Sequence, residues 1–459
     1  MSKIKNRKVE VFGIILVLIL SGTITIASAR SPGAVSSTNA KWTVMMYCAF
    51  DNHRDLETNY TIKSFTDIGS DTNLNIVVLL DERAIDDTRY LYIEKDGVVP
   101  LPWSESESNM GDPGTLESFL DLTMASYPAD HYALFVLSAW GSGWQGLGGD
   151  TAGTDSSRYL SLITLPDYTN ILKNVTDNGS KKIDLVGYDI CVTGSFEAAY
   201  ELAPYVKYMV STQQEHGFGY GEFSDYGKPL WWNYSYFLQQ LKDNPDMPPE
   251  QFAISTVDYY VPGTSTEKIF FFVKAPKFYP VVKFHTTLSA ANLSKADEIS
   301  NAVDLLASSL KDCLSEIKKE IKSARSEVRE YGKLYKRFWF LPWQISYVFR
   351  LDSLGYDCFI DLYDFAEKLK EKTSVTEIKT ACDAVMDAFN GTVIANKAEP
   401  TDPSHGFSIY FPQLRCQYDQ SIWRSVGVKN FRKIPSPYED LRFSKDTSWD
   451  EFLRAYLKV

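Results

Sequence analysis

The sequence predicts an α/β protein: a three-layer sandwich with a mostly parallel central sheet and additional helices towards the C-terminus. Three observations carry that reading. Short apolar runs recur at 42–50 (WTVMMYCAF), 74–80 (LNIVVLL), 132–137 (YALFVL), 183–188 (IDLVGY) and 208–211, and near-continuous apolar strands are those buried on both faces of a sheet. Helical stretches such as 114–126 (GTLESFLDLTMAS) and 195–202 (SFEAAYEL) fall between them, and strands alternating with helices imply parallel pairing through crossovers. The second half has a different texture, with helical patterns over 295–330 and 363–371 and one strand-like run, GFSIYFP, at 406–412. The aromatic stretch 336–350 (KRFWFLPWQISYVFR) reads as core or helix packing. At the C-terminus, Trp449, Phe452, Leu453 and Tyr456 recur at helical spacing, so that segment packs one face on the body.

The chain has 459 residues, 44% of them hydrophobic and 14% aromatic, enough to bury a large core. A formal net charge of −12, with no long basic run after the N-terminus, excludes nucleic acid as an expected partner. Lys3, Lys5, Arg7 and Lys8 precede an apolar run over 11–20, and Ala27-Ser28-Ala29 stands before Arg30. That charged, apolar and small-residue order is an export signal, with cleavage expected after Ala29. An uncleaved anchor is the alternative, because weak apolar character continues through Ile26. Either way residues 42–459 form the expected folded domain outside the cytoplasm, secreted or at the cell surface. Residues 1–29 are then signal or anchor, and 30–41 a small, polar linker. Membrane contact is expected only through the N-terminal segment.

Cys48, Cys191, Cys313, Cys358, Cys382 and Cys416 are too scattered for a disulfide scaffold and form no CxxC pair, leaving room for one or two disulfides. Sequons stand at Asn59, Asn174, Asn178, Asn233, Asn292 and Asn390.

In an open parallel sheet, the loops after the carboxyl ends of the strands gather at one rim, where ligands bind. Here they read FDNHRDLE, DERAIDD, SAWGSGWQG, DICVTGS and TQQEHGFGYG in strand order. Cys191 falls at the junction of a strand and a helix, where a helix N-terminus lowers a thiol pKa and favours nucleophilic work. A buried structural cysteine is the competing reading.

WTVMMYCAFDNHRDLE, IDLVGYDICVTGSFEAAYEL, TLSAANLSK, DLYDFAEKL, GFSIYFP and RFSKDTSWDEFLRAYL together resemble, in order, segments of the clostripain family of cysteine peptidases, which has a caspase-like fold. The resemblance covers about residues 42–457. It implies Cys191 as the nucleophile and Asp189 as the carboxylate that receives an Arg or Lys side chain of a peptide or protein substrate. It implies Gly141 as a backbone oxyanion donor. The family's catalytic His precedes Gly-Ser-Gly-Trp, and Trp140 occupies that position here, with Ser138 and Ala139 also differing. An indole N–H only donates, so Trp140 is no general base.

The resemblance therefore leads to an exported cysteine endopeptidase homologue with impaired catalysis. A peptidase with a substitute base, His53 or His216 from the rim loops, is one alternative. A noncatalytic binder of basic peptides is another. His131 lies at the wrong strand end, and His285 and His405 have no rim assignment. Activation cleavage at Arg158 would follow family habit, although an ordinary exposed loop residue explains it as well. The sequence requires no cofactor; calcium is implied by the resemblance alone, since no EF-hand-like loop is present. A different fold that uses the loop for phosphate binding is the weaker reading, as neither GxxxxGK[ST] nor GxGxxG occurs at a strand end.

Overall fold

A computed structural model describes residues 39–138, 141–150, 161–214, 232–260, 264–268, 281–331, 358–418 and 437–459. Among them the central sheet has nine strands: β1 (Ala40–Ala49), β2 (Leu74–Asp81), β3 (Arg89–Glu94), β4 (Gly97–Leu101), β5 (Ala129–Ser138), β6 (Ile183–Asp189), β7 (Val206–Ser211), β8 (Thr287–Asn292) and β9 (Val393–Ala398). Their spatial order is β9-β8-β7-β6-β5-β1-β2-β3-β4. The five apolar runs of the sequence are β1, β2, β5, β6 and β7, and these pair in parallel at the centre. Strands β3 and β4 on one edge and β8 and β9 on the other add antiparallel pairs, so the whole sheet is mixed. Both outermost strands are partly exposed along their length, which leaves weak apolar runs and explains why the sequence did not display them.

Alternation along β1 divides its side chains between two cores. Met45, Tyr47 and Ala49 join one core with Leu116 and Phe119 of helix Pro113–Ser126, Ile171 of helix Leu165–Val175 and Ile299 of helix Ala296–Asp312. Val44, Met46 and Cys48 join the other with Phe65 of helix Thr58–Thr66, Phe237 of helix Tyr234–Asp243 and Phe252 of helix Pro249–Asp258. The sheet is thus sandwiched between two helical layers. Helix starts follow local chemistry: Asp112 accepts from Gly114 N with Pro113 in the first turn, and Ser195 accepts from Ala198 N, each satisfying a donor that the helix leaves unpaired.

Residues 39–459 form one compact unit, with the first strand beginning at Ala40, inside the expected 30–41 linker. The helical pattern of 295–330 resolves into Ala296–Asp312 and Leu314–Glu327, which meet at Cys313. The C-terminal helix Trp449–Leu457 buries Trp449, Phe452 and Leu453 as its spacing requires. Residues 1–38 and 336–350, with the expectations placed on them, lie outside the described residues. No described helix is long and apolar enough to cross a membrane.

Candidate active site

Asp189 is the last residue of β6, and Cys191 follows in a turn that runs to Gly194. The next helix, Phe196–Leu202, starts only after its cap Ser195. The expected junction is present, but the thiol stands off the first helical turn, where the dipole's influence is concentrated. Cys191 is 8% exposed. The following residue, Val192, has φ +52°, a left-handed conformation costly for a β-branched side chain and persisting only where the surroundings fix it. Its N–H donates to Gln214 O at 3.2 Å, its carbonyl accepts from Gly143 N at 2.7 Å, and Gly194 N donates to Thr212 O at 2.7 Å. The Cys191 turn is therefore clamped between the loops that follow β5 and β7.

The glycines after β5 make that approach feasible. A Cβ on Gly141 would lie 2.4 Å from Ile190 Cγ2 and 3.1 Å from Cys191 O, and one on Gly143, at φ +43°, would lie 2.5 Å from the Phe359 ring. Gly141 and Cys191 are thus brought together. Trp144 turns into the core, edge-on to Tyr410 and Tyr438 at 5.3 and 5.2 Å. Ser138 is described and buried; Ala139, Trp140 and Arg158 lie outside the described residues.

Asp189, expected to face a substrate side chain, is 2% exposed. Its Oδ2 accepts from Arg54 Nη2 at 2.8 Å and from the Tyr234 hydroxyl at 2.6 Å. Arg54 Nη1 donates to Asp189 O at 2.7 Å and Ser138 O at 3.3 Å, Nε donates to Glu57 Oε2 at 3.1 Å, and the guanidinium lies 5.1 Å from the Phe50 ring centre. Burial works against the Arg54 charge, but Asp189 and Glu57 outweigh it and hold the guanidinium protonated. Burial and then Asp189 push the Tyr234 phenol well above its ordinary range, so it donates. No motif in the sequence singles out Arg54 or Tyr234. The signal for Arg54 was a cation inside FDNHRDLE, and it acquires meaning only once the order β6-β5-β1 puts that turn two strands from Asp189.

Two histidines have described side chains. His131, at the opposite end of β5, stacks on Trp42 at 4.8 Å and faces Asp184 at 3.3 Å, as its place before the strand implied. His405 Nδ1 lies 3.0 Å from Asp361 Oδ1, its ring stacks on Tyr363 at 4.2 Å, and Gln213, just past β7, donates to Asp361 Oδ2 at 3.0 Å. The side chains of His53, His216 and His285 lie outside the description. Cys48, Cys313 and Cys382 are free thiols; burial pushes that of Cys382 up to about 12.

The clostripain-family sequence profile matches residues 62–456, most of the chain. The chain belongs to the clostripain family. It is 24% identical to clostripain of Hathewaya histolytica over 480 aligned positions, covering 89% of this chain and 84% of that one. Among solved structures it resembles an inactive zymogen of a C11 protease from Parabacteroides distasonis (TM-score 0.58, 16% identity, 89% of this chain and 99% of the other). It also resembles a secreted C11 cysteine protease of Bacteroides thetaiotaomicron, solved with an irreversible peptide inhibitor (TM-score 0.54, 15% identity, 90% and 100% covered). These likenesses establish the caspase-like fold of the clostripain family for this chain. The profile match begins after the Asp51–Glu57 turn, so Arg54 lies outside it.

Proposed function

We propose that this clostripain-family protein is an exported cysteine-peptidase homologue that engages peptides at the rim beside Cys191 but is impaired in amide hydrolysis. The carrying observation is the ion pair of Arg54 and Asp189 at 2.8 Å. If Asp189 serves as the family resemblance implies, an incoming Arg or Lys side chain has to displace a guanidinium that already bonds two oxygens of Asp189, Ser138 O and Glu57. The chain's own arginine takes the place of the basic substrate side chain.

Trp140 supports the same reading from the chemistry. A thiol of ordinary pKa near 8.5 is about 3% thiolate at pH 7, so a nucleophile survives without a partner base. Protonation of the leaving amine does not, and general acid–base help is worth about 10²- to 10⁴-fold. Restoring imidazole by Trp140→His is expected to raise Cys191-dependent cleavage of an Arg amide within that range, short of its upper limit because Arg54 still holds Asp189. The comparison needs wild type, Trp140→His and the double variant with Cys191→Ala, all shown folded. No gain in a folded Trp140→His protein would contradict the missing-base account.

A second reading, turnover through a substitute base, draws on the Asp361–His405 pair. It requires wild-type cleavage that disappears in His405→Ala, His53→Ala or His216→Ala. Export rests on the charged, apolar and small-residue order of residues 1–29. Protein recovered from the medium should begin at Arg30, and retention in cells with an intact N-terminus would oppose secretion.

A further inference from the structure

Two segments grip the Cys191 turn by its backbone. Past β7, Thr212 O accepts from Gly194 N at 2.7 Å and Gln214 O accepts from Val192 N at 3.2 Å. From the C-terminal half, Ser408 N and Oγ donate to Gly194 O at 2.9 and 3.2 Å. Gln213 lies between Thr212 and Gln214, and its side chain reaches the second segment. Its Nε2 donates to Asp361 Oδ2 at 3.0 Å, while Oε1 accepts from Ser404 Oγ at 2.5 Å and from Gly406 N at 3.0 Å. Its backbone N donates to Thr287 Oγ1 of β8 at 3.1 Å, and the residue is fully buried.

We infer that Gln213 is a positioning residue for Cys191: its carboxamide locks the 212–214 loop to the 404–408 segment and so closes the grip on the Cys191 turn. The surroundings call for a carboxamide. One end faces a carboxyl acceptor and the other faces a hydroxyl and an N–H, so the side chain has to donate at one end and accept at the other. Asp361 is fixed in its turn. Also fully buried, it accepts from Asp364 N at 2.8 Å as the cap of helix Leu362–Lys372, and from His405 N at 2.8 Å. Asp361 cannot turn away from Gln213 without uncapping that helix. Because buried polar groups are costly to leave unpaired, loop and segment act as one support.

Such support matters at this turn because Val192 holds φ +52°, a conformation that relaxes once its surroundings stop fixing it. Relaxation there reorients the peptide that joins Val192 to Cys191, and with it the thiol relative to Gly141. The inference rests on the reading of Cys191 as the working thiol of the rim, but not on whether the protein turns over amides. Residues 213, 361 and 404–406 are far apart in sequence, so no local motif marks Gln213 within TQQEHGFGYG.

The test compares purified wild type, Gln213→Leu and Gln213→Glu by hydrogen exchange over residues 190–195 and by the rate at which iodoacetamide alkylates each cysteine. Gln213→Leu is expected to speed exchange at Val192 and Gly194, and alkylation of Cys191, by about ten-fold or more, the scale of one lost buried hydrogen bond. The buried Cys48 and Cys382 should stay protected. Gln213→Glu separates positioning from bulk. Protonated, its carboxyl donates and accepts as the amide does; ionised, it has no donor for Asp361. Burial favours the protonated form, so this variant should match wild type at about pH 5.5 and follow Gln213→Leu at about pH 8. The titratable groups around the position are Asp361 and His405, with Asp364 and Glu367 acting on His405. All three proteins share them, so each rate is read as a ratio to wild type at the same pH. Should Gln213→Leu not fold, that pH-dependent ratio decides alone. Unchanged exchange and Cys191 alkylation in both variants would overturn the inference, as would equal rises at Cys48 and Cys382, the mark of general loosening. Faster exchange in a protein whose Cys191 resists iodoacetamide throughout would support the grip and count instead against the reading of Cys191.

Discussion

Arg54 is the residue on which the candidate site turns. A buried ion pair is weak evidence of net stability, but removing one partner strands the other charge, at a typical cost of about 3–5 kcal/mol. Arg54→Gln is therefore expected to lower the unfolding free energy by about that amount, measured by urea denaturation. Arg54→Lys, which retains charge but loses the fork-shaped contact, should cost less. If Arg54 stands in for a substrate side chain, the folded glutamine variant should also bind a fluorescent Arg-containing peptide more tightly than wild type does. Unchanged stability together with unchanged binding would show that Arg54 neither supports the rim nor closes it.

The element behind Cys191 is a seven-residue helix, Phe196–Leu202, too short to stand alone and held by what packs on it. Glu197, fully buried in that helix, accepts from Tyr410 N at 2.8 Å and the Tyr438 hydroxyl at 2.9 Å, tying the Cys191 segment to C-terminal chain. Burial pushes Glu197 up to about 7 against those hydrogen bonds. In the folded state the carboxyl holds its proton to higher pH than in the unfolded chain. Its contribution is therefore fully present below about pH 4.5 and lost as pH rises through about 7, a change of about 3 kcal/mol at 1.36 kcal/mol per pH unit. Glu197→Gln should remove that component. Denaturation at pH 4.5 and 7.5 should show wild type losing more stability than the variant over the interval; parallel losses would mean that Glu197 is charged throughout.

Across the whole molecule, the central strands were legible because burial on both faces requires continuous apolar runs, as in LNIVVLL and IDLVGY. The edge strands were not, since half-exposed runs such as GVVPL look like loop. Cys191 and Gly141 were legible through local pattern, and their contact follows from the adjacency of β5 and β6. Arg54 and Tyr234 were not, because their meaning lies in pairings between segments far apart in sequence. The central claim is that the peptidase frame and its nucleophile persist while Arg54 and Trp140 suppress the family chemistry. Its most direct test is the rate of Arg- and Lys-amide hydrolysis by the purified wild-type protein, with and without calcium, against Cys191→Ala as the baseline. The account predicts wild-type rates close to that baseline and well below those of Trp140→His; wild-type turnover that matches Trp140→His and that Cys191→Ala abolishes would contradict it.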